Sequence, residues 1–134
     1  MSQITIPVAP GELIDKITIL EIKAERFRDP AKLDNVRREL ALLWQAWTAA
    51  PEADTDISEL RARLKQVNEK LWQIEDDIRA EEARGDFGER FVALARAVYF
   101  TNDARAALKR EINTRLGSQI VEEKGYVDYK QRDA

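Results

Sequence analysis

"ISELRARLKQVNEKLWQIEDDI", residues 57–78, carries the clearest pattern in the chain. Its apolar residues Ile57, Leu60, Leu64, Val67, Leu71, Ile74 and Ile78 stand alternately three and four apart, separated mostly by charged and amide side chains. That spacing is a coiled-coil-like heptad seam three repeats long, one stripe of a long helix that has to close against other helices. Asp56 with Glu59 is a candidate capping box for its start, and Gly85 stands where a left-handed C-cap is wanted.

Downstream, "GDFGE" leads into another helix that stops at Gly117. Upstream, "TAAPEADTD" is a polar loop, preceded by a helix presenting Leu33, Val36, Leu40, Leu43 and Trp47 with Trp44 beside them. "RDPAKL" supplies Asp29 as N-cap and Pro30 at the first helical position, so the connection to the preceding helix is tight. That first helix opens at Pro10, with Glu12 in its first turn. It carries one stripe of Leu13, Ile17, Leu20 and Ala24 and a second of Ile19 and Ile22, so it is buried on two sides. "ITIPV" before it reads as a short edge strand or an extended arm.

The predicted fold is all-α. It is a four-helix antiparallel bundle built from a short and a long helical hairpin, with short extended N- and C-terminal arms, in one domain spanning residues 1–134. The long helices are nearly thirty residues, about 43 Å at 1.5 Å per residue, and the short ones nearer eighteen to twenty. The short hairpin cannot cover the long one, which leads to the expectation of a homodimer.

Composition narrows the function. A formal net charge of −3 and a pI near 5.2 leave no basic footprint for nucleic acid. The sequence has no Cys and no His, which removes thiolate chemistry, Ser-His nucleophile systems and the usual zinc sites. No metal and no cofactor is expected. "WQIEDDIRAEE" crowds acids onto two turns, but they point round most of the helix, as on a solvated face. The first twenty residues lack a secretory pattern and no apolar run approaches a membrane span, so the chain is read as cytoplasmic.

One stripe is irregular. On the fourth helix Phe91, Leu94 and Val98 are followed at the same angular position by Asn102, Arg105 and Lys109, before Ile112 and Leu116 resume. A buried cation without a partner costs several kcal/mol, so carboxylates, water or a bound anion must answer these groups. Glu21 stands inside the Leu13 to Ala24 stripe, and Asn68 and Glu75 lie within about 60° of the Leu71 axis. Asn102, Arg105, Lys109, Glu21, Asn68 and Glu75 are therefore the candidate site. Glu21 is expected to approach Arg105 or Lys109, and Asn102 to satisfy a neighbouring group.

"GELIDKITILEIKAERF", "VNEKLWQIEDDIR", "FVALARAVYFTNDARAALKREIN" and "EEKGYVDY" together resemble a bacterial family of domains of unknown function, over Val8 to Tyr129. The resemblance implies no activity and no catalytic residue. Some members resemble parts of proteins from surface-polysaccharide and glycosyltransferase contexts, which gives no role to any residue here. The functional expectation is a non-catalytic helical binding or assembly module that self-associates. The alternative is a small-molecule enzyme or ligand-binding domain, chorismate-mutase-like at best, with a small anionic ligand between helices at Arg105 and Lys109.

Overall fold

The computed structural model describes residues 2–130, so the outermost residues of the expected 1–134 domain lie outside the described residues. Four helices follow in order: α1 Pro10–Arg26, α2 Pro30–Ala49, α3 Ser58–Arg84 and α4 Glu89–Arg115. A single 3-10 turn at Pro51–Asp54 bridges α2 and α3. Among the described residues there is no strand. "ITIPV" is thus an arm and not an edge strand, with Ile4 and Ile6 exposed, because no neighbouring strand offers it hydrogen bonds.

Local chemistry sets the helix ends. Asp29 accepts the Lys32 N–H at 3.2 Å, and Pro30 occupies the first helical position of α2. Asp56 accepts the Ser58 N–H at 2.9 Å, so the cap of α3 is a one-sided turn and not the reciprocal box with Glu59. Gly85 and Gly117 both take the left-handed conformation, φ 69° and 66°, that a side chain would strain.

Helix α1 is the centre of the bundle, packing against α2, α3 and α4, while α3 and α4 pair with each other. The core lies at the end where α1 begins. Ile14 and Ile17 meet Trp47, Ile57, Leu60, Leu64, Leu108 and Ile112 there, all buried. At the other end α1 stops beside Trp72, whose ring faces Phe27 at 5.9 Å and lies under Arg26. Helices α3 and α4, at 27 residues each against 17 for α1, continue past that point for roughly three turns. Along this bare stretch the α3 seam is only partly covered at Ile78, and Phe87 and Val92 are more than half exposed.

Burial therefore differs along one heptad seam. Leu64 is fully buried within the core cluster, and Leu71 is half-buried where α1 is ending. Leu64→Ala is expected to cost about 3 kcal/mol in chemical denaturation, and Leu71→Ala about half of that. Equal costs at the two positions would contradict this assignment of the core to one end.

Candidate functional site

The site is organised by Asp15, a carboxylate only 1% exposed at the meeting of α1, α3 and α4. At 100° per residue Gly11, Asp15, Thr18 and Ile22 fall within an arc of about 60°, which makes one face of α1. All four are buried. This face of α1 turns to α4 at Gly11 and Asp15 and to α3 at Asp15 and Thr18.

Arg105 answers Asp15 with its guanidinium edge, Nε donating to Oδ1 at 2.9 Å and Nη2 donating to Oδ2. A two-point pair of this kind fixes direction as well as charge. From α3, Asn68 Nδ2 donates to Asp15 Oδ1 at 2.9 Å and to Thr18 Oγ1 at 3.0 Å. The Thr18 hydroxyl donates in turn to the Asp15 carbonyl at 2.8 Å. One carboxylate thus gathers groups from three helices, and its hydrogen bonds hold the Arg105 pKa above its usual value despite burial.

One turn along α4, the Lys109 ammonium donates to Glu12 at 2.7 Å and lies 3.5 Å from Glu122 of the C-terminal segment. Burial works against its charge, but the bond to Glu12 and the surrounding carboxylates more than offset this and raise its pKa. Beyond it the helices nearly touch. The Gly11 N–H donates to Asn113 Oδ1 at 2.7 Å, and a Cβ on Gly11 would stand 2.5 Å from the Lys109 carbonyl oxygen. Only glycine allows that approach.

The C-terminal segment after Gly117 turns back along α4. Glu122 meets Lys109, and the Tyr129 hydroxyl donates to Asp103 while its ring packs against Tyr99 and Phe100 at 4.8 and 4.9 Å. Desolvation against these rings, together with the bond to Asp103, pushes the Tyr129 phenol up to about 12. Between segment and helix is a cleft of about 330 Å³ lined by Tyr99, Asn102, Arg105, Lys109, Lys124, Tyr126 and Tyr129, among others.

The predicted site residues separate into groups. Arg105 and Asn68 meet on Asp15, and Lys109 lies one turn away. Glu21 does not approach either cation. It accepts from Arg61 of α3 at 2.5 Å, because its side of the stripe faces α3 and not α4. Asn102 is exposed and lines the cleft, with no protein partner among the described residues. Glu75 pairs with Arg79 of its own helix, away from the cluster. Asp15, Glu12 and Glu122, the actual partners of the cations, were not among the candidates. The spacing of Gly11, Asp15, Thr18 and Ile22 was the available signal.

A second buried acid, Glu81, closes the tip of the long hairpin, accepting from Arg84 and, at 3.1 Å, from Arg90. Among the described residues no three acidic, His or Cys side chains are grouped to hold a metal ion, and no helix is long and apolar enough to cross a membrane.

A family described as a family of unknown function (DUF6165) matches residues 4–131, and the chain belongs to it. No curated protein and no solved structure matches the chain significantly.

Asp15→Ala is expected to destabilise the fold by about 3 kcal/mol, since it leaves Arg105 and Asn68 without their acceptor. Glu21→Ala, which releases an Arg61 that is 31% exposed and still stacked on Trp44, should cost less, about 1–2 kcal/mol. Double-mutant cycles check both: coupling of about 1 kcal/mol or more between Asp15 and Arg105, and none between Glu21 and Arg105. A spectrophotometric titration should show one tyrosine ionising near pH 12. With its folded pKa raised from 10.0 to about 12, Tyr129 stabilises the docked segment fully below pH 10 and loses that effect as pH rises through about 12. Tyr129→Phe should abolish the late step.

Proposed function

We propose that this member of the family is a non-catalytic helical assembly module that pairs with a second copy of itself through the uncovered end of its α3–α4 hairpin. The observation that carries the reading is the mismatch of helix lengths. Because α1 ends at Trp72, roughly three turns of α3 and α4 have no third helix over them, and Val92 and Phe87 are 52% and 55% exposed there. A pair of hairpins laid against each other makes a four-helix, coiled-coil-like assembly from two two-helix ends.

Charge supports a self-complementary contact. On the same stretch α3 exposes Asp76 and Glu82 together with Arg79 and Arg84, and α4 exposes Glu89 together with Arg90 and Arg96, so acids and bases are interspersed on both helices. A two-fold axis that lays α3 of one protomer on α4 of the other repeats every contact, so each acid set opposite a base of the partner makes that pair twice. The polar cluster on α1 supports the non-catalytic half of the reading, because Asp15 and Glu12 already engage Arg105 and Lys109. A cytoplasmic setting is part of the proposal and rests on the sequence.

Light scattering at roughly tens of micromolar is expected to give a dimer mass. Val92→Glu, at an exposed position, should give a folded monomer, and Val121→Glu on the C-terminal segment should leave the dimer intact. A monomeric wild-type protein at that concentration overturns the proposal.

A further inference from the structure

The cleft between α4 and the C-terminal segment is a different feature from the hairpin end and carries its own reading. Its floor holds an arginine fixed in direction. Asp15 takes Nε and Nη2 of Arg105, and among the described residues no protein acceptor engages Nη1. The side chain is 30% exposed and forms part of the cleft lining. A guanidinium locked on one edge by a buried carboxylate presents its remaining N–H groups without further loss of rotamer freedom. Lys124 also lines the cleft, its ammonium 3.3 Å from Glu122 and its side chain 39% exposed.

The walls are aromatic. Tyr99 and Tyr129 meet edge to face, and Tyr126, 81% exposed, stands on the segment side. At about 330 Å³ the space is at the small end of the range for ligand sites. We propose that this cleft binds a small aromatic carboxylate, its ring among the three tyrosines and its carboxylate between Arg105 Nη1 and the Lys124 ammonium.

Charge decides between a carboxylate and a phosphate. Arg105, Lys109, Lys124 and Lys130 are surrounded by Glu12, Asp15, Asp103, Glu122 and Asp128, so a dianion meets five carboxylates against four cations. A single negative charge suits this balance better, because each like charge nearby raises the cost of a second one. The ring follows from the walls, since a planar body gains from edge and face contacts with tyrosine that an aliphatic acid does not make.

The test uses the whole chain, isotope-labelled, with amide NMR spectra followed during titration with benzoate, methyl benzoate and phenyl phosphate. Benzoate is expected to give saturable shifts confined to α4 around Asn102 to Lys109 and to the segment from Glu122 to Tyr129. Methyl benzoate, which keeps the ring and loses the charge, should bind about tenfold more weakly or worse. Phenyl phosphate should also bind more weakly than benzoate. Lys124→Gln and Tyr126→Ala alter exposed side chains, so the fold and the dimer mass should be unchanged while benzoate affinity falls about tenfold in each. Absence of saturable shifts, equal binding of the neutral ester, tighter binding of phenyl phosphate, or variants that bind benzoate like the wild type would each overturn the proposal. None of these outcomes depends on whether the hairpin end pairs with a second copy.

Discussion

A carboxylate taken almost wholly out of water has to find its compensation inside the protein, and the position of Asp15 makes every neighbouring helix supply part of it. Desolvating such a charge costs several kcal/mol before any partner is counted, so only a near-complete set of donors makes the arrangement tolerable. Arg105 contributes charge and two hydrogen bonds, Asn68 contributes a third, and Thr18 closes the loop to the α1 backbone. Apolar contacts alone allow helices to slide by a turn with modest penalty. A fork-on-fork pair does not, so Asp15 sets the register of α1 against α4, and Asn68 sets it against α3.

The rest of the architecture is arranged around that register. One turn from Asp15, Gly11 lets α1 approach α4 closely enough for its backbone N–H to reach Asn113. Flanking this face on one side of α1, Ile14 and Ile17 close the core with residues from the other three helices. The result is a molecule with two unlike ends. One holds the core, the Asp15–Arg105 and Glu12–Lys109 pairs and the folded-back C-terminal segment, and the other is a pair of helices held at the tip by Glu81 and its two arginines.

The helix ends were legible in the sequence because each depends on a few adjacent residues. Asp29 with Pro30, Gly85 and Gly117 act locally, and the structure uses them where the sequence places them. The excess length of α3 and α4 was legible for the same reason. The pairing of charges was not. Glu21 stands among apolar residues, which marks it as a core-facing acid, yet its stripe turns toward α3 and Arg61. Asp15 lies on the other face of α1, with a glycine and a threonine as neighbours, and a face so polar and small reads as solvent-facing until α4 is known to lie on it. The cleft was hidden for a further reason. It forms only because an aperiodic segment returns along α4, and neither helical nor strand periodicity encodes that return.

The contact between Asp15 and Arg105 also joins residues 90 apart in sequence. While the chain is being made, α1 and α2 leave the ribosome long before α4 exists. During that interval Asp15 has no guanidinium to meet, and the face that carries it gains nothing by leaving water. The α1–α2 and the α3–α4 hairpins each rest on contacts between helices adjacent in sequence, and the Asp15–Arg105 pair can join them only once the whole of α4 is present. Completion of the fold is in this sense a late event, held back until the last helix arrives.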